Sequence, residues 1–255
     1  MSADGRFAIV AGRRVLVGQL NAPSSSDRRL DLPAAGRCAA FAPDGALLVG
    51  LERSYLVNPP AGGDVEEGPT LGESSLITSL SAGSNLVAVA EAGLRIIWLF
   101  DRSSALKAHV QAPDGGGFVV PSPHFDVAVA ADGTLWVAHP GELRLEQRDA
   151  GGRLLRSWGR PGSRIESVCG CCNPTDFALL PGGGFVTAEK GLPRVKVYRD
   201  DGSLESVVAA PREFAEDVVG LDVAADAAGR VYAADPARGA VRVFERRTAA
   251  GEERR

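Results

Sequence analysis

Long apolar runs are missing from this 255-residue chain. Its longest, such as residues 118–120 and 96–100, fall far short of the roughly 18 residues a membrane-spanning helix needs. The first ten residues also lack the charged segment, long apolar stretch and small-residue cleavage site of an export signal. As written, the sequence is expected to stay in the cytoplasm. A positive charge excess is absent too: 28 Lys and Arg face 32 Asp and Glu, for a net charge of −4. The two signs are interspersed, with one dense cluster at residues 252–255, so the electrostatic footprint of a nucleic-acid binder is not there. Methionine occurs once and histidine three times, while 31 Gly and 16 Pro favour tight turns over long helices. What remains is a composition ordinary for a folded domain, 45% hydrophobic and 24% charged. Thiols are few and unevenly placed. Of Cys38, Cys169, Cys171 and Cys172, three fall within four residues. Such clustering in a chain this long argues against a disulfide framework and toward a metal or redox role.

Turn signals recur along the chain at Asp4-Gly5, Asp44-Gly45, Ser84-Asn85, Asp132-Gly133, Gly182-Gly183 and Ala228-Gly229, spaced 40 to 50 positions apart. A short apolar segment follows each one: 7–10, 47–49, 86–90, 135–138, 185–188 and 231–234. Most turns are preceded by another, at 39–41, 127–129, 177–180 and 221–224. A third segment then alternates apolar and polar residues, as in Val195-Lys-Val-Tyr198 and Val241-Arg-Val-Phe244, the period of a half-buried strand. No window carries a helical period. Six meandering units of this length predict an all-β, six-bladed β-propeller. A single domain over 1–247 is expected, with 248–255 a disordered polar tail. Blade 1 would begin at its second strand and blade 6 would stop after its third, so closure between them is expected to be incomplete.

The stretch Leu192-Pro-Arg-Val-Lys-Val-Tyr198, following Gly184-Phe-Val-Thr-Ala-Glu189, resembles an NHL repeat, and residues 123–147 and 219–244 resemble it as well. Phe118-Val-Val-Pro-Ser-Pro-His-Phe-Asp126 and Cys169-Gly-Cys-Cys-Asn-Pro174 are similar to an uncharacterised bacterial sub-group of NHL-type propellers. That resemblance implies a binding or scaffold fold and no settled activity. Family members often start further upstream with an export signal or anchor. The resemblance therefore implies a longer natural N-terminus, in which case the protein would be exported or membrane-anchored.

Aligning the units on the turn gives two columns. Seven residues before the turn stand Cys38, Thr78, Asp126, Asp176 and Asp222; six after it stand Leu51, Glu91, His139, Glu189 and Asp235. Both are expected to ring the mouth of the central channel, where ligands of closed β-folds bind. Asp126, His139, Asp176, Glu189, Asp222 and Asp235 are thus the candidate binding residues. Capping of the following turn is the plainer reading for Glu91, Glu189 and Asp235. The cysteine loop enters blade 5 on the same face, beside His124. Soft thiolates select zinc, copper or iron–sulfur clusters. Cys169 and Cys171 are the expected first ligands, followed by Cys38, Cys172 and His124, with packing the plainer reading for Cys38; a vicinal or reversible disulfide is the redox alternative. A calcium site among the carboxylates ranks lower. Lys190 and Arg194 flank the blade 5 turn, and Arg37 and Arg164 stand near the cysteines in the alignment; cations near thiols raise their reactivity, while solvated surface positions are the commoner fate of such residues. The leading reading is a scaffold for a protein or small-molecule ligand. The alternative is a propeller hydrolase or lyase with a divalent cation in the channel.

Overall fold

The computed structural model describes residues 1–60, 63–112, 115–215 and 218–246. They form six antiparallel sheets, the blades of a six-bladed propeller. Blade 1 holds β1 (Arg6–Ala11), β2 (Arg14–Gln19) and β3 (Arg28–Asp31). Blade 2 holds β4 (Cys38–Phe41), β5 (Leu47–Gly50), β6 (Tyr55–Asn58) and β7 (Glu66–Glu67). Blade 3 runs through β8 (Ile77–Ala82), β9 (Val87–Glu91), β10 (Ile96–Phe100) and β11 (Leu106–Val110). Blade 4 comprises β12 (Asp126–Val129), β13 (Leu135–His139), β14 (Arg144–Arg148) and β15 (Leu154–Trp158). In blade 5 these are β16 (Asp176–Leu179), β17 (Phe185–Glu189), β18 (Arg194–Tyr198) and β19 (Leu204–Ala209). Blade 6 has β20 (Asp222–Ala225), β21 (Val231–Asp235) and β22 (Ala240–Phe244). Among the described residues blades 1 and 6 have three strands each, β1 corresponding to the second strand of the four-stranded blades. The expected tail at 248–255 lies outside the described residues. None of the helices is long and apolar enough to cross a membrane among those residues.

Blades 2 to 5 bury most of both faces of their middle strands, which is why segments such as β5 and β10 read as unbroken apolar runs rather than alternating ones. All five residues of β9 and of β17 are buried. The apolar cores lie between consecutive blades: Val15, Leu47 and Val49 between blades 1 and 2, Leu48, Ile77 and Val89 between 2 and 3, Ile97, Phe125 and Val137 between 3 and 4. Between blades 4 and 5, Trp136 and Trp158 stack at 4.7 Å with Phe185 packed against both, worth about 0.5–1.5 kcal/mol beyond burial alone. Val186, Val195 and Val223 fill the last core, between blades 5 and 6. The innermost strands β4, β8, β12, β16 and β20 stand side by side along the channel.

The structure adds a fourth strand to blades 2 to 5, which the periodicity did not show. These outer strands are largely exposed, as in β11 and β15, and so carry no apolar pattern. The turn between the first two strands of blade 5 requires glycine at position 184. Gly184 has φ +83°, and a Cβ there would come within 2.3 Å of the Tyr198 carbonyl oxygen.

Candidate functional site at the channel mouth

The first residue of an innermost strand faces the channel and the neighbouring blade at once. Asp126 uses this position to tie three blades together. Its Oδ1 accepts from the Ser79 hydroxyl of blade 3 (2.5 Å) and the Val127 N–H (2.8 Å), and its Oδ2 accepts from the Phe177 N–H of blade 5 at 2.9 Å. Asp176 repeats the move one blade on, accepting from the Val223 N–H of blade 6 at 2.8 Å. Thr78 of blade 3 donates to the Phe125 carbonyl at 2.6 Å. Burial pushes the Asp126 carboxyl up to about 6, against the hydrogen bonds that hold it down. Asp176 is pushed well above the usual carboxylate range by burial and then by the charges of Asp126 and Asp222.

Asp222 opens the equivalent strand of blade 6 but is exposed. It makes no hydrogen bond or ion pair among the described residues. It lines a pocket of about 340 Å³ together with Gly36, Arg37, Thr78, Pro123 and His124. Arg37 is held there by its Nε, which donates to the Ile77 carbonyl at 2.9 Å. The His124 imidazole is kept toward its neutral form by burial and then by the Lys190 charge. Gly220, at φ +78°, lets the chain pass the ring, since a Cβ there would meet His124 Cε1 at 2.7 Å. The pocket is open and polar, the kind of concave site in which a few convergent groups orient a ligand.

The second column is placed differently from the expectation of a channel rim: its members are buried and used inside their own blades. Glu91 accepts from the N–H groups of Leu76 (2.6 Å) and Leu94 (2.9 Å), a turn cap. His139 is 3% exposed. Its Nε2 accepts from the Val119 N–H at 2.9 Å, and its Nδ1 donates to Glu146 Oε1 at 2.9 Å. Glu146 also receives Arg144 and the buried Arg148; burial raises its carboxyl, but the His139 hydrogen bond and then the two arginines outweigh that and lower it to about 2. Glu189 pairs with Arg194 and with the fully buried Lys196. Asp235 accepts from the Arg238 N–H at 3.2 Å. These buried groups find their partners inside their own blades, Glu189 Oε1 and Asp235 Oδ2 through ion pairs and without a hydrogen bond, and the aligned spacing alone could not separate them from a rim.

The thiols are not gathered into one shell. Among the described residues no group of three or more His, Cys, Asp and Glu side chains is placed to hold a metal ion. Cys38 packs on the core between blades 2 and 3, and burial, then Asp126 and Asp222, push its thiol up to about 12. That is a poor start for a thiolate ligand. The residues therefore do not fit the expected zinc, copper or iron–sulfur shell of Cys169 and Cys171 completed by Cys38 or His124. What the loop does bring together is one pair: Cys171 Sγ lies 3.1 Å from Cys172 Sγ. Asn173 pins the loop to blade 5, its Nδ2 donating to the Lys190 carbonyl at 3.0 Å and its Oδ1 accepting from the Lys190 N–H at 2.9 Å. The Lys190 ammonium donates to Ser122 Oγ at 2.7 Å. Of the other cations expected near the thiols, Arg194 is spent on Glu189 and Arg164 on Glu166. Arg37, singled out as a thiol neighbour, belongs to the pocket instead.

The architecture is shared with many solved propellers. No family model matches the chain, and no curated protein matches it. Among solved structures, that of the nidogen/laminin complex aligns with a TM-score of 0.72 and 11% identity, covering 93% of this chain and 88% of that one. A streptogramin B lyase aligns with a TM-score of 0.65 and 12% identity, over 97% of this chain and 81% of that one. A catalytically inactive histidine-to-alanine variant of virginiamycin B lyase from Staphylococcus aureus, with quinupristin, gives 0.58 and 11%, over 95% and 85%. At such identities the likeness is one of fold. The chain is an all-β, six-bladed β-propeller.

Proposed function

We propose that this chain is a binding propeller of the NHL type, whose channel-mouth pocket receives a small polar ligand or the polar end of a polypeptide segment. The observation that carries the reading is Asp222. Its counterparts Asp126 and Asp176 are spent on the next blade, whereas Asp222 keeps its carboxylate for the pocket it shares with Arg37 and His124. A carboxylate and a guanidinium on one rim suit a ligand that carries both an ammonium and a carboxylate. The nidogen/laminin neighbour supports the wider scaffold reading, since a propeller of this shape occurs there in a complex between proteins. Fold alone carries no function, so the weight rests on the pocket.

The lyase neighbours give the second reading, a propeller hydrolase or lyase with a divalent cation in the channel. One of them is inactivated by loss of a histidine. Here His139 has both ring nitrogens occupied and is closed off from the opening, which leaves His124 as the one imidazole on the pocket. The carboxylates of Asp126 and Asp176 are likewise engaged, which disfavours a calcium site among them.

Thermal unfolding with free amino acids and dipeptides as probes tests the binding reading. Zwitterionic probes should raise the Tm of the parent protein, since a ligand at 100 times its Kd adds about 2.7 kcal/mol. Asp222→Asn and Arg37→Ala should each abolish the rise. An absence of any rise, or the same rise in Asp222→Asn, would overturn the assignment.

A further inference from the structure

We propose that Cys171 and Cys172 form a dithiol that hydroperoxides oxidise to a vicinal disulfide, with Cys172 as the attacking thiol and Cys171 as the resolving one. The proposal stands apart from the pocket reading, because it concerns a different set of residues and is read by a different measurement.

Three observations describe the pair, and the last of them, the surroundings of each thiol, assigns the roles. The two sulfurs are 3.1 Å apart, so about 1 Å of closure separates them from a disulfide bond. Their exposures differ: Cys171 is exposed and Cys172 is buried. Their surroundings differ as well. Cys172 sits against Ser122 and the Lys190 ammonium, whose own hydrogen bond to Ser122 holds it in place. Burial raises the Cys172 thiol, but its contacts with Cys171, Ser122 and Lys190 outweigh burial and bring it below the ordinary value. Cys171 is raised, chiefly by Cys172 itself. A thiolate beside a cation, with a second thiol within reach, is the arrangement of a peroxide-sensitive cysteine.

The chemistry balances with one hydroperoxide per pair. The Cys172 thiolate attacks the terminal peroxide oxygen, the O–O bond breaks, and the alcohol or water leaves after taking a proton. Cys172 is then a sulfenic acid. The Cys171 thiol attacks that sulfur, the S–O bond breaks, water leaves, and the S–S bond forms. The sum is ROOH plus two thiols giving ROH, water and a disulfide. Neighbouring Cα atoms are about 3.8 Å apart, closer than the roughly 4.4–6.8 Å that unstrained disulfides span. A ring closed over that distance is readily reduced again by a small dithiol, which suits a reversible switch. Closing it draws on the loop that Asn173 ties to Lys190, next to the His124 side of the pocket.

Reduced full-length protein treated with one equivalent of hydrogen peroxide and read by intact and peptide mass spectrometry tests the proposal. The parent protein should lose two hydrogens within the peptide holding Cys171 and Cys172, and dithiothreitol should restore them. Cys171→Ser, whose hydroxyl can still donate to the Cys172 sulfur, should still react but stop at a dimedone-trapped sulfenic acid on Cys172. Cys172→Ser should react at least about tenfold more slowly, as expected for losing the activated thiolate. Lys190→Met, which leaves both thiols in place, should slow the parent reaction severalfold. Oxidation falling first on Cys38 or Cys169, disulfides forming between molecules, or an unchanged rate in Lys190→Met would overturn it.

Discussion

Replacing Asp126 with asparagine removes a buried carboxylate from the propeller channel, and with it the charge that helps to raise Asp176. The Asp126 carboxyl moves from an ordinary 3.8 up to about 6 because it is buried. An acid raised in this way binds its proton more tightly in the folded state. The stability it contributes is fully present below pH 4 and is lost as pH rises through about 6. Two pKa units amount to about 3 kcal/mol. At pH 5 the folded protein holds about 0.85 proton more at this site than the unfolded chain, which gives a slope of about −1.2 kcal/mol per pH unit. Glu146 acts in the opposite sense. Its folded value of about 2 against an ordinary 4.5 means its contribution is present above pH 4.5 and lost as pH falls toward 2. At pH 5 its slope is only about +0.3 kcal/mol per unit. Asp126 therefore dominates this pair down to about pH 4, where the two balance. In Asp126→Asn the amide oxygen still accepts from the Phe177 N–H and the amide N–H₂ meets the Ser79 hydroxyl, while the Val127 N–H loses its acceptor; that loss does not vary with pH, so the bond to blade 5 survives without its titration. Urea unfolding followed by tryptophan fluorescence, at half-unit steps from pH 4.5 to 7.5, reads the difference. The variant should gain on the parent by about 1 kcal/mol per pH unit around pH 5, with the gain levelling off above pH 7. Parallel pH profiles for the two proteins would refute the argument.

Two further expectations concern stability alone. Glu146→Ala leaves Arg148, 2% exposed, without its carboxylate, and should cost about 3–5 kcal/mol in chemical unfolding; a loss below 1 kcal/mol would show that Arg148 finds water instead. Gly184→Ala should cost more than about 1 kcal/mol, while Gly182→Ala, where an added Cβ meets nothing within 4 Å, should change the midpoint little.

The strands that could be read from the sequence are those buried on both faces or packed on a core. The segments at 47–49, 185–188 and 195–198 fall inside β5, β17 and β18. The fourth strands escaped because residues such as Leu154 and Leu155 pair in a ladder while facing solvent, so hydrogen bonds rather than burial define them. For the site, alignment placed Asp126, Asp176 and Asp222 correctly at the head of the innermost strands. It could not tell the two engaged carboxylates from the open one, because their partners are backbone N–H groups 47 and 51 residues away. His139 and Glu189 looked like rim residues for the same reason. Their partners Glu146, Arg194 and Lys196 lie on the next strand of the same blade, and only pairing register brings them together. Lys190 was legible as a thiol neighbour from its place after β17.

The carboxylate bonds from Asp126 to Phe177 and from Asp176 to Val223 all point the same way around the ring. Blades 4 and 5 thus help to dictate where blades 5 and 6 begin. A change at the head of one innermost strand is felt in the following repeat before it is felt in its own. For anyone rebuilding this chain by shuffling or duplicating repeats, the unit to move is therefore not a blade cut at its loops. It is a span that keeps a leading aspartate together with the first backbone amide of the blade after it.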